Sequence, residues 1–190
     1  LQEGEDFPYI SSEGFSDEFL LKENSLLSRD KDGGICKDPS GRPNLECTCG
    51  LVVTGKTDPS NPLFSPGGSA WTNDSFPLLD LPADKDPRLH PRNECLHQGY
   101  ASIALVPIRA MGEIVGLLHL NDRRKGQLSP LIIASLEGVA NNIGEILMRK
   151  KAEEALRASE EKHRVLFDEA ADLIVVVDTR GNFLSLNKKF

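Results

Sequence analysis

The chain has 190 residues, 39% hydrophobic and 27% charged, with a net charge of −7. That is an ordinary soluble composition with room for one domain, or one and part of another, and the acidic balance excludes the clustered Lys/Arg surface that nucleic acid requires. Four cysteines are too few for a secreted disulfide scaffold, and no uninterrupted apolar run of about 18 residues predicts a membrane span, so a cytoplasmic protein with thiols or a metal site is expected.

In chain order, Phe7 to Ile10 reads as a strand and Ser16 to Leu27 as the neighbourhood of a helix. Asp30 to Asn44 is rich in Asp, Gly, Lys and Pro and reads as loop. Cys47 to Val53 is a short helix or strand. Thr54 to Asp86 carries Pro59, Pro62, Pro66, Pro77 and Pro82 and is expected to be irregular, a lid or binding loop pinned to the core by Trp71, the single tryptophan.

The most informative stretch is Ser102 to Asp122, two apolar strands joined by a turn at Ala110-Met111-Gly112. Ile103 and Leu105 share one face of the first strand, and Ala104, Val106 and Ile108 the other. The second strand sets Ile114 and Leu118 against Val115 and Leu117. Strands apolar on both faces belong inside a sheet covered on both sides.

Ser129-Pro130 is a helix start, with Ser as N-cap and Pro at N1. Ile132, Leu136, Val139, Ile143 and Ile146 follow at 4-3-4-3 spacing. After a phase break between Leu147 and Ala152, a second stripe runs through Ala152, Leu156, Ser159, His163 and Leu166. One helix over Leu131 to Asp172 is predicted, with heptad-like seams that suit a parallel homodimer. Leu173 to Asp178 and Asn182 to Leu186 then read as two strands about a turn.

Cys47, Cys49, Cys95 and His97 are the one constellation of ligand-type residues. Cys-x-Cys with Cys-x-His supplies four donors for zinc, although Cys-x₂-Cys is the usual knuckle. Alternatively, Cys47 or Cys49 pairs with Cys95 as a thiol-disulfide switch, or all three are small buried hydrophobes. His119 sits on a strand face with Val115 and Leu117, as a core histidine or pointing into a cavity. Gly50 to Thr57 fits the phosphate-loop pattern G-x-x-x-x-G-K-[ST] letter for letter, yet Pro59 and Pro62 deny it the required helix, so the match reads as coincidence and no enzyme is expected.

Several blocks resemble a GAF domain of the kind found in bacterial and archaeal multidomain sensors. They are Glu46-Cys47-Thr48-Cys49-Gly50, Gly55 to Asp58, Gly68 to Asn73, Asn93-Glu94-Cys95, Gly99 to Ser102 and Leu120-Asn121-Asp122, in that order. Glu160 to Phe167, the apolar strand before Asp178, the turn from Asp178 to Gly181 and the strand ending before Asn187 resemble the opening of a PAS domain. The resemblance implies an α/β (α+β) fold with a central antiparallel sheet, and three segments: a GAF sensor over 1–147 without its usual first helix, a helical linker over 148–163, and an incomplete PAS opening over 164–190. It implies signal transduction, a small-molecule ligand or redox signal, and an output such as a histidine kinase in a longer protein. Haem is a further implication, with His97 as axial ligand, Cys95 or Cys49 for attachment, and Trp71 and His119 as cavity residues.

Overall fold

The computed structural model describes residues 1–82, 84–170 and 174–187. The chain divides into two units, Leu1–Glu145 and Ile146–Phe190. The fold is mixed: a three-stranded antiparallel sheet flanked by helices, with a long C-terminal helix.

The sheet has the order β1-β2-β3, with β1 at Ala70–Thr72, β2 at Ser102–Ala110 and β3 at Glu113–Asp122. β2 is the centre, and it is buried on both faces, as its double apolar pattern demands. Ile103 and Leu105 join one cluster with Phe19, Val52, Phe64 and Leu96. Ala104, Val106 and Ile108 join a second with Ile133 and Ala140. Met111 and Gly112 alone link β2 to β3, both at positive φ (52° and 86°), the signature of a type I′ hairpin turn.

β3 departs from strict alternation. Ile108 pairs with Gly116 and Arg109 with Ile114, so Val115 is the extra residue of a bulge. A one-residue insertion exchanges faces beyond it. Ile114 therefore goes with Leu117 towards the first cluster, while Val115 goes with Leu118 and Leu120 towards the second. This corrects the expected partition, and it is what turns His119 to the first side.

Three further expectations change. Phe7 to Ile10 is not a strand: Pro8 has no N–H, and the Tyr9 N–H donates to Asn24 Oδ1 at 3.1 Å instead of to a neighbouring strand. The segment 54–86 is not structureless, because it contains β1 and a 3₁₀ turn at Phe76–Asp80. Between Leu27 and Leu45, isolated bridges (Leu27 with Leu45, Arg29 with Ile35, Lys37 with Pro43) order what reads as plain loop.

Three helices close the first cluster. α1 (Asp17–Glu23) is capped by Ser16, whose Oγ accepts from the Phe19 N–H at 3.2 Å. α2 (Cys47–Val53) and the short α3 (Glu94–His97) follow. α2 also settles the phosphate-loop match, since its first glycine, Gly50, lies within a helix where that motif needs a strand end. Gly50 is there for packing: a Cβ would stand 2.4 Å from the Leu45 carbonyl oxygen.

α4 runs from Pro130 to Asp168, with the Ser129 hydroxyl accepting from the Ile132 N–H at 3.3 Å. Ile133, Ala140 and Gly144 are its buried residues, and Leu136 and Ile143 pack beside them. The expected stripe thus splits, because the row Ile132, Val139, Ile146 is exposed. By length and composition alone α4 is also long and apolar enough to cross a membrane, a test the sequence reading had it fail. Its buried face, however, belongs to the core against β2.

In the second unit, β4 (Val175–Val177) and β5 (Phe183–Leu186) form an antiparallel hairpin. Asp178 Oδ1 accepts from the backbone N–H groups of Arg180 and Asn182, at 2.8 and 2.9 Å, which fixes the turn. Both faces of the hairpin are exposed. Leu173 at its expected start, Asp172 at the expected helix end, and Lys188 to Phe190 lie outside the described residues.

Candidate functional site

A cavity of about 60 Å³ lies between the first face of the sheet and α1, α2 and α3. Its apolar wall comes from Leu63, Leu78, Ile103 and Leu105. Its polar wall comes from Glu23, the three cysteines Cys47, Cys49 and Cys95, and His119. Trp71 and Arg88 also line it. Arg88 forks onto Asp86 with two bonds of 2.7 Å and also donates to Asn93 Oδ1 and the Leu78 carbonyl. It therefore staples the loop in front of α3, with four of its five N–H donors committed to the protein.

The cysteines arrive from two segments. Cys47 is the first residue of α2 and has a φ of 62°, a left-handed conformation disfavoured for a side chain. Its N–H donates to the Leu89 carbonyl at 3.0 Å, and its Sγ accepts from the Arg92 N–H at 3.0 Å. Because α2 is a helix, Cys49 two residues on points elsewhere, into the core, where it is 5% exposed. Burial, then the neighbouring Cys95 and Cys47, push its thiol well above the ordinary range. Cys95 comes from α3. Burial and Glu23 push it up to about 12.

His119 links this group to the aromatic part of the core. Its Nδ1 lies 2.7 Å from the Tyr9 hydroxyl and its Nε2 lies 3.6 Å from Cys95 Sγ. Burial pulls the imidazole down to about 4, so the ring is neutral at neutral pH. Burial also raises Tyr9, which stays a phenol. The buried Asn121 amide stands beside Cys95 and His119.

The charged edge is Glu23, Arg92 and Glu46. Glu23 is 4% exposed, and burial raises its carboxyl against the opposing pull of Arg92. Arg92 Nε lies 3.4 Å from Glu23 and 3.2 Å from Glu46, while its terminal nitrogens donate to the carbonyls of Lys22 and Ser25. The sequence reading missed Glu23, Arg92 and Tyr9. Only the closure of α1 and of the segment before α3 over the cavity brings them to the thiols.

The structure thus brings together Cys47, Cys49, Cys95 and His119, and leaves His97 out; Trp71 lines the cavity from β1 but packs into the second cluster, on the other face of the sheet. His97 is exposed at the end of α3 and does not line the cavity. Among the described residues no group of three or more His, Cys, Asp and Glu is arranged to hold a metal ion. Haem does not fit either. The cavity is several-fold smaller than the ~300 Å³ at which ordinary small-molecule pockets begin, and both nitrogens of the one histidine in it are already engaged.

On the far side of β1, the loop that lines the cavity is held to α4. Ser69 Oγ donates to Glu137 Oε1 at 2.6 Å, and Ser65 Oγ donates to the same oxygen. Ser69 and Ser65 are both buried, and Gly67 lies so close that a Cβ there would meet the Glu137 carboxylate.

No family model matches the chain, and no curated protein matches it. One solved structure, described as a domain of a two-component sensor histidine kinase protein from Sinorhizobium meliloti 1021, aligns at 16% identity. The alignment covers 64% of this chain and 80% of that one, with a TM-score of 0.38.

Proposed function

We propose that the chain is a GAF-type input module of a signal-transduction protein, in which an event in the thiol-lined cavity is passed along α4 to a PAS domain and an output such as a histidine kinase. The observation that carries this reading is the clasp of Ser65 and Ser69 on Glu137. The same loop, through Leu63 and Ala70, forms part of the cavity wall. A change in cavity contents that moves this strap pulls on a partly buried, charge-assisted contact of α4, and such a contact has few intermediate geometries.

Leu105→Phe places extra volume in the cavity and stands in for an occupant. Hydrogen exchange along α4 is then compared in the wild type, in Leu105→Phe and in Leu105→Phe/Glu137→Ala. Exchange over 146–163 should change on filling and revert when the clasp is removed. Identical exchange in all three would refute the coupling.

The exposed row Ile132, Val139 and Ile146, spaced by seven, supports a homodimer formed through this helix. Light scattering on Val139→Glu should find a smaller species than for the wild type if the row is the seam.

A further inference from the structure

Resting on the sensor reading above, we infer that the event sensed in the cavity is oxidation by hydrogen peroxide, taken at Cys47 and completed as a disulfide with Cys95. A cavity of about 60 Å³ admits a few molecules the size of water or peroxide and excludes an ordinary organic ligand. Three thiols line that small space, more nucleophilic sulfur than an apolar core needs.

The roles divide by environment. Cys49 is shut into the core, whereas Cys47 and Cys95 are only partly buried. Cys47 Sγ already accepts a backbone N–H, and the Arg92 guanidinium, held by Glu23 and Glu46, acts on it from nearby. An N–H donor and a cation are what stabilise anionic sulfur as it attacks a peroxide. Cys95, driven high by burial, stays protonated until needed, and the neutral His119 stands 3.6 Å from its sulfur.

The steps balance. Cys47 sulfur attacks one peroxide oxygen, so an S–O bond forms as the O–O bond breaks. The departing hydroxide takes the thiol proton and leaves as water. Sulfur loses the two electrons that the peroxide gains, and Cys47 becomes a sulfenic acid. Cys95 sulfur then attacks the sulfenic sulfur: the S–S bond forms, the S–O bond breaks, and the hydroxyl leaves as a second water with the Cys95 proton. His119 Nε2, 3.6 Å from the Cys95 sulfur, is placed to relay that proton. The new bond ties the start of α2 to α3 at the wall of the cavity.

The test is peptide mapping of the reduced 190-residue chain after equimolar hydrogen peroxide. The expected product has lost two hydrogens, contains a Cys47–Cys95 linked peptide pair, and reverts with a dithiol. Cys95→Ser should stop at a dimedone-reactive sulfenic acid on Cys47, and Cys47→Ser should leave Cys49 and Cys95 as thiols at the same dose. A Cys47 thiol that survives peroxide in the folded wild type, or dimedone labelling that marks Cys95 first, would overturn the inference. If peroxide fails while Leu105→Phe still alters exchange over 146–163, the sensor reading stands and the identity of its signal falls.

Discussion

Ser69 Oγ donates to Glu137 Oε1 at 2.6 Å, tying the strand that edges the sheet to the helix behind it. Ser69 has no exposed surface, so a lost acceptor is not replaced by water without rearrangement. Removing one partner of a buried hydrogen bond costs the desolvation of the group left behind, ~1–3 kcal/mol and more towards a charged acceptor. Glu137→Ala orphans two hydroxyls at once. It should lower stability by about 2–3 kcal/mol in urea denaturation, whereas Ser69→Ala/Glu137→Ala, which removes one of the two orphaned hydroxyls and keeps Ser65 Oγ as the acceptor of the Ser69 N–H at 3.0 Å, should cost less than Glu137→Ala alone. If the double variant is the weaker protein, the clasp is not a closed unit.

The neutral His119 makes stability depend on pH. Its folded value is about 4, against an ordinary 6.5, so between these values the unfolded chain binds more protons than the folded one. Stability is therefore fully present above about 6.5 and falls as pH drops towards 4. A shift of this size corresponds to roughly 3 kcal/mol at the low end of the window. Glu23 acts in the opposite direction, since burial raises its folded value and acid favours its folded form. Urea midpoints from pH 7 to pH 5 should fall in the wild type and be nearly flat in His119→Gln. Parallel slopes in the two proteins would mean that the ring is not kept neutral.

Two glycines on one helix should respond oppositely to the same substitution. At Gly144 a Cβ would stand 2.0 Å from the backbone oxygen of Arg109, where α4 crosses β2. At Gly138 nothing lies within 4 Å. Gly144→Ala must push the helix off the sheet, at ~1–3 kcal/mol, the usual cost of overpacking. Gly138→Ala only removes the entropic weakness of a mid-helix glycine and should gain ~0.5–1 kcal/mol. Thermal midpoints of the two variants should bracket the wild type.

How far the sequence speaks can be judged strand by strand. β2 was legible because each face carries its own apolar set, which only a strand covered on both sides explains. β3 was legible in extent but not in phase, because the bulge at Val115 leaves no mark in composition, and His119 follows that phase. Cys47, Cys49 and Cys95 could be grouped as soft side chains on two segments. His97 could not be told from His119 as their partner, since sequence proximity to Cys95 favoured the wrong ring. Glu23 and Arg92 stand 69 residues apart, and no local pattern announces their pairing.

The hairpin turn offers a stabilising change. Met111 has a φ of 52° and is 91% exposed, so its side chain pays a left-handed backbone penalty and buries nothing in return. Such a conformation costs an ordinary residue ~1–2 kcal/mol, and asparagine bears it more readily because its side chain bonds locally. Met111→Asn converts the turn to Asn-Gly, the pair that two-residue hairpins with positive φ at both positions select. It should raise stability by about 0.5–1 kcal/mol, with no change in the β2–β3 register. A fall in the urea midpoint would mean that Met111 makes a stabilising contact its exposure does not reveal.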